Sequence, residues 1–233
     1  MKPKNWVQRV NLAIEGVIYA VKTQRHMRYH LFAALAALIL GLVLNISRIE
    51  LILLCMAIVL VLATEMLNTA IETTVDLISE EFHPLAKNAK DVAAGVVLIA
   101  SIGALTLAYL ILYPAFKEAV LSGHWRIRKV PDDIVVFVAL AVVIILVIML
   151  KAIIGKGEPL RGGMPSGHAA VSFSVWTAVF YLSGSVPIIL LTFLLAVLVS
   201  WGRWSSGIHR PIEVIAGALL GIGVSFLFFL LFS

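Results

Sequence analysis

From His30 onward the chain alternates apolar runs with short polar stretches. The apolar runs cover 31–46, 51–78, 92–116, 134–150, 169–183, 186–201 and 212–232. A helix crossing the hydrocarbon core needs about 20 mostly apolar residues, so the pattern predicts about seven membrane spans. Ahead of them, Trp6, Val7, Val10, Ile14, Val17, Ile18 and Val21 recur at helical spacing among Lys2, Lys4, Arg9, Lys22, Arg25 and Arg28. This predicts an amphipathic helix within residues 1–29 that lies at the interface with its basic face to water. The segment has no uninterrupted apolar core followed by a small-residue cleavage site, so no signal peptide is expected. Pro84, inside the hydrophilic stretch Ser79 to Asp91, predicts a break. The polar run Lys117 to Asp133, with Trp125, Arg126, Arg128, Lys129 and Pro131, reads as an interfacial linker and a domain boundary. Gly217, Gly221 and Gly223 in the last run permit close helix packing.

Composition narrows this further. Of the 233 residues, 61% are apolar and 13% charged, against about 45–50% and 25% in an ordinary soluble domain. A water-soluble globular protein is excluded. The net charge of +5 reflects sidedness. With the amino terminus cytoplasmic, segments 1–29, 79–91, 151–168 and 202–211 share that side and hold 13 of the 18 Lys and Arg residues. No soluble basic domain exists to bind nucleic acid, so none is expected as a partner. The single cysteine, Cys55, cannot form an internal disulfide.

Two polar constellations interrupt the apolar pattern, and the sidedness puts both at the cytoplasmic face. In the first, Glu65, Asn68, Glu72 and Asp76 fall at offsets that keep them on one helix face. Carboxylates near bilayer depth cost roughly 2.5 kcal/mol or more each, so they face a bundle interior, water or a metal. Beside a basic loop carrying Lys87, Lys90 and Asp91, such a stripe can hold Mg²⁺ and nucleotide phosphates and leave one carboxylate as general base. In the second, Pro165-Ser166-Gly167-His168 opens an apolar helix whose first amides form an anion site. His209 and Glu213 lie four residues apart at another helix start, so a carboxylate can hold one ring nitrogen and leave the other to attack phosphorus.

Glu65-Met-Leu-Asn68-Thr-Ala-Ile-Glu72-Thr-Thr-Val-Asp76, followed by His83-Pro-Leu-Ala-Lys87-Asn-Ala-Lys90-Asp91, resembles the small integral-membrane diacylglycerol/undecaprenol kinases of bacteria over about residues 5–116. The resemblance implies a surface helix plus three spans, a homotrimer or other homo-oligomer, and ATP-Mg²⁺ phosphorylation of a lipid alcohol. On matching positions, Glu65 would take the hydroxyl proton and Glu72 would bind metal, while Asn68, Lys90 and Asp91 would serve the nucleotide. Where the family places a second metal-binding Glu, this chain has Gln24. Its amide oxygen can ligate Mg²⁺ but brings no charge, so weaker metal binding is expected.

The second constellation resembles the type 2 phosphatidic acid phosphatase superfamily over about residues 134–232, with the Pro-Ser-Gly-His motif complete. By that resemblance His209 is the nucleophile, His168 the acid, Lys151 and Arg203 phosphate clamps, and Ser166 with Gly167 completes the cradle. No cofactor is implied for this half. Glu158 stands where the superfamily has Arg, and Arg161 is the expected substitute; Gly202 replaces Ser and Glu213 replaces Asp.

The expected protein is an all-α polytopic membrane protein of the bacterial cytoplasmic membrane. Residues 1–116 form a lipid kinase-like domain of one amphipathic helix and three spans, 117–133 a linker, and 134–233 a four-helix phosphatase core. Its substrates are membrane lipids. Phosphorylating undecaprenol and removing one phosphate from undecaprenyl diphosphate give the same product, which favours a bifunctional carrier-lipid enzyme. The alternative is a phosphatidylglycerol phosphate or phosphatidate phosphatase whose kinase-like half is only a trimerising scaffold.

Overall fold

The computed structural model describes residues 6–79, 81–122, 129–154 and 163–233, with nothing stated for the side chains of residues 7, 8 and 122. Within these residues the chain is helical without strands: α1 (Trp6–Thr23), α2 (Arg25–Val43), α3 (Arg48–Ile78), α4 (Pro84–Ser122), α5 (Asp132–Ile154), α6 (Gly167–Leu182), α7 (Val186–Ser205) and α8 (Pro211–Phe232). Among the described residues, six helices are long and apolar enough to cross a membrane, and α6 is a shorter apolar helix. The protein is therefore a multi-pass membrane protein. The described chain forms two compact units, one from residues 23–126 and the other from residues 1–22 together with 127–233.

Helix α1, which belongs to the second unit, stops before the expected residue 29. Gln24 alone is extended, at φ −100° and ψ 118°, and α2 begins immediately after it. Arg25, His26, Arg28 and His30 thus form the first turns of a span instead of the tail of the surface helix. The sequence conceals this because basic residues with long apolar stems suit either position. Helix α2 ends with Asn45 in the left-handed region at φ 50°. The Asn45 N–H donates to Leu42 O and the Ile46 N–H to Gly41 O, a Schellman stop. Ser47 then caps α3: its Oγ accepts from the Glu50 N–H, and its own N–H donates to the Glu50 carboxylate at 2.7 Å.

The break expected at Pro84 lies just before it. Pro84 occupies the first helical position, where no amide donor is needed, and His83 Nδ1 accepts the Leu85 N–H at 3.2 Å. Lys87, Lys90 and Asp91 therefore sit on the first turns of α4 and not on a loop. With 39 residues, α4 is ~58 Å long at about 1.5 Å per residue, well beyond the hydrocarbon core. It continues to Ser122, into the stretch expected as a polar connector; Trp125, Arg126 and Arg128 lie outside the described residues.

The second unit is organised by α6 and α8. A Cβ on Gly217 would lie 2.3 Å from Ser166 O, and one on Gly221 2.1 Å from Ala170 O. The two backbones therefore touch along a seam that any side chain would force apart. Gly223 has open space and plays no part in it. Ser174 and Ser225 satisfy each other across the seam at 2.7 Å. Val143 and Val147 of α5 pack on Ala170, with Leu220 and Val224 beside them. At the far end from the polar motifs, the Val130 N–H donates to Phe232 O at 2.8 Å, tying the start of α5 to the end of α8.

Candidate functional site

In the first unit the buried face of α3 turns from apolar to polar along its length. Leu51, Leu54, Ala57 and Val61 give way to Thr64, Glu65, Asn68 and Thr69. The threonine hydroxyls return to their own helix, Thr64 to Val61 O and Thr69 to Glu65 O, and leave the acids to other partners. Glu65, 3% exposed, faces His30 Nε2 of α2 at 4.0 Å. Glu72 receives Gln24 Nε2 at 3.1 Å on one oxygen and Asn68 Nδ2 at 2.9 Å on the other. Asn68 Oδ1 is buried without a hydrogen-bond partner. Toward the polar end, Asp76 pairs with Lys90 and Lys87 with Asp91. With Ser79 and His83 these residues line a cavity of about 330 Å³.

The predicted kinase residues thus fall into an inner group, Gln24, Glu65, Asn68 and Glu72, and an outer group, Lys90 and Asp91. Sequence reading missed His30; its spacing of four from His26, which places both on one face of α2, is the signal that points to it. Among the described residues no three His, Cys, Asp or Glu side chains form a metal cluster. The inner group nevertheless suits Mg²⁺, a cation that takes oxygen donors and keeps several waters. Glu72 offers a carboxylate, and each neighbouring amide can turn to present oxygen. The unsatisfied Asn68 Oδ1 is an oxygen donor already in place.

In the second unit four helix ends meet: the end of α5 with Lys151, the start of α6 with Ser166, Gly167 and His168, the end of α7 with Arg203, and the start of α8 with Glu213. Two main-chain bonds lock them together. The Ser166 N–H donates to Glu213 O at 2.8 Å, and the His209 N–H to Arg203 O at 3.1 Å. The Glu213 carboxylate lies 2.8 Å from His209 Nδ1, accepts the Arg210 N–H at 3.2 Å, and also accepts the Gly163 N–H. A carboxylate so engaged accepts from Nδ1–H, which makes Nε2 the lone-pair nitrogen. That Nε2 is buried with no hydrogen-bond partner, as is Ser166 Oγ. Leaving such atoms unpaired costs about 1–3 kcal/mol each, and a ligand that pairs with them recovers it.

His168, His209 and Lys151 line a single cavity of about 410 Å³. Arg203 is close enough for its charge to act on both histidines. Burial holds the His209 imidazolium below its ordinary range, helped by Lys151 and Arg203 and partly offset by Glu213. At neutral pH the ring is therefore neutral. Arg161 and Glu158, the expected replacement and the departure it answers, lie outside the described residues. Two contributors were not foreseen: the Gly163 amide on Glu213, and Ile14 and Ile18 of α1, which line the same cavity. Neither carries a polar side chain, so no sequence signal marks them.

A buried imidazole backed by a carboxylate, facing cations at helix ends of a membrane bundle, defines a class of protein that handles phosphate at the lipid boundary. The chain belongs to the prokaryotic diacylglycerol kinase family, which it matches over residues 11–112, and its residues 151–233 match the PAP2 superfamily. It is similar to the undecaprenol kinase of Bacillus subtilis, with 41% identity over 99 residues that cover 42% of this chain and 80% of that protein. It is 42% identical over 100 residues to a diacylglycerol kinase of Synechocystis, covering 42% of this chain and 57% of that protein. A diacylglycerol kinase of Haemophilus influenzae is 35% identical over 94 residues, covering 40% of this chain and 80% of that protein. No solved structure matches the chain. Both families consist of enzymes, lipid kinases in one case and phosphatases in the other, and the chain is an enzyme of lipid phosphate chemistry.

Proposed function

We propose that the protein is a bifunctional lipid phosphate enzyme of the membrane, whose two halves converge on undecaprenyl phosphate when the first acts on undecaprenol. The second half removes one phosphate from undecaprenyl diphosphate, and the first phosphorylates undecaprenol, or diacylglycerol, with ATP. The observation that carries this reading is His209, whose Nδ1 is held by Glu213 at 2.8 Å while its buried, unpartnered Nε2 lies at a cavity shared with His168 and Lys151.

In the phosphatase half, Nε2 attacks the terminal phosphorus as the bond to the leaving oxygen breaks, and His168 gives that oxygen its proton. Glu213 balances the positive charge left on the phosphorylated ring. Water, deprotonated by His168, then attacks phosphorus and breaks the N–P bond, which releases inorganic phosphate and restores neutral His209. Lys151, Arg203 and the Ser166 and Gly167 amides neutralise charge on the phosphoryl oxygens throughout.

In the kinase half, Glu65 takes the proton of the lipid hydroxyl as its oxygen attacks the γ-phosphorus and ADP departs. Lys90 and Asp91 serve the nucleotide at the mouth. Glu72 and the Gln24 and Asn68 oxygens would hold Mg²⁺, which supplies charge neutralisation at the β- and γ-phosphates. His30 faces Glu65 at 4.0 Å from the neighbouring helix.

The start of α2, the end of α3 and the start of α4 share one end of the first unit; the end of α5, the starts of α6 and α8 and the end of α7 share one end of the second. With the Lys and Arg bias, this supports a cytoplasmic location for both sites. Homo-oligomerisation, as a trimer, is part of the same proposal. The test is two assays on the purified protein: ATP plus undecaprenol, and undecaprenyl diphosphate alone. Phosphate transfer in the first and release in the second are expected; absence of both ends the proposal. A second reading makes the first half a trimerising scaffold for a phosphatidylglycerol phosphate or phosphatidate phosphatase. Gln24 favours it, and release from those lipids without any transfer from ATP would select it.

A further inference from the structure

The cavity at His209 has a second end. Beyond Lys151, His168 and His209 its wall is apolar: Ile144, Val147 and Ile148 on α5, and Val171 on α6. Ile14 and Ile18 of α1 complete this apolar lining. Ile18 is 2% exposed, whereas Tyr19 next to it is 51% exposed, so α1 buries one defined face within the second unit, to which it belongs. At about 410 Å³, the space lies in the lower part of the range for small-molecule sites of about 300–1,000 Å³.

A volume with a cationic, imidazole-lined end and an aliphatic end has the polarity of a phosphate ester joined to a hydrocarbon chain. A separate apolar groove, lined in part by Ser200, Trp201 and Pro211, lacks such a polar end, since none of His168, His209 or Lys151 lines it. We infer that Ile14 and Ile18 form the wall that receives the chain of the lipid phosphate nearest its headgroup, so that α1 determines the chain specificity of the phosphatase half. The inference rests on the phosphatase reading above. It gives to the second active site a helix that lies largely within the kinase-family match by sequence.

Hydrolysis is measured on the protein with undecaprenyl diphosphate, with phosphatidate, and with methyl diphosphate, whose single carbon offers the apolar wall no chain to hold. In Ile14→Trp, which fills the apolar end at a half-buried position, the ratio of long-chain to short-chain kcat/KM should fall roughly tenfold or more. An independent readout uses wild type. A lipid phosphate carrying a diazirine near its headgroup should label the tryptic peptide of residues 10–22, and excess unlabelled lipid phosphate, but not phosphatidylcholine, should suppress the label. A changed ratio with competed label supports the inference. An unchanged ratio in folded Ile14→Trp, an unlabelled peptide, or a label that phosphatidylcholine suppresses equally overturns it. Phosphatidate and the prenyl diphosphate as separate arms tell an acyl from an isoprenoid chain. Wild type inactive on every substrate, or His209→Ala as active as wild type, defeats the phosphatase reading itself; active wild type with an unlabelled α1 defeats only this inference.

Discussion

Gln24 Nε2 donates to Glu72 Oε2 at 3.1 Å, so an amide from the one extended residue between α1 and α2 meets the carboxylate of α3. A second carboxylate at position 24 would add charge for a divalent ion but would repel Glu72 without one. Gln24→Glu should therefore lower the Mg²⁺ concentration for half-maximal ATP-dependent lipid phosphorylation by roughly tenfold, about 1.4 kcal/mol. It should also raise the ion's stabilisation of the first unit, read as a larger Mg²⁺-dependent rise in Tm. No change in either would favour a scaffold.

In the proposed mechanism the acid limb of phosphate release reports the His209 ring, because only the neutral form would attack. Burial places that limb below the ordinary histidine value. Glu213 raises the ring's affinity for a proton, so Glu213→Gln should move the limb to still lower pH while cutting kcat by roughly 100-fold or more through loss of the tautomer lock. A limb that moves upward would contradict the pairing. The pH profile of kcat/KM for wild type and variant decides it.

As the acid of the proposed mechanism, His168 would be needed only where the departing oxygen needs a proton. His168→Gln should slow release from a lipid phosphate by about 10²–10⁴-fold yet slow release from p-nitrophenyl phosphate much less, since nitrophenolate departs unprotonated. Equal losses on both would assign His168 to phosphate binding instead.

The α6–α8 seam has no slack at Gly221, where a Cβ would lie 2.1 Å from Ala170 O. Gly221→Ala should destabilise the protein by about 1–3 kcal/mol, the usual cost of overfilling a packed contact, and lower phosphatase activity. Gly223→Ala, with open space around it, should leave both near wild type. Thermal unfolding in detergent alongside phosphate release separates the pair.

The spans, the two constellations and most of their members are legible in the sequence because each involves a local contrast: Glu65 after thirteen apolar residues and a Thr, or Pro165-Ser166-Gly167-His168 at the edge of an apolar run. What escapes is whatever depends on one residue's backbone angles or on neutral atoms. Gln24 ends a helix with no proline or glycine to announce it. Pro84 initiates where it was expected to interrupt, since a helix-starting proline and a breaking one look alike without the His83 cap. The Gly163 amide and the Ile14 and Ile18 side chains carry no chemistry of their own and matter only through where the fold puts them.

The Ser166 carbonyl occupies the space a side chain at position 217 would need, and the Ser166 amide is bonded to Glu213. The gap between the Ser166 turn and the start of α8 beside His209 is consequently set by the thickness of naked polypeptide, a dimension no rotamer change can adjust. Headgroups of different bulk must then be accommodated by the loops above, and altered substrate range in relatives of this enzyme should arise there while the seam stays glycine.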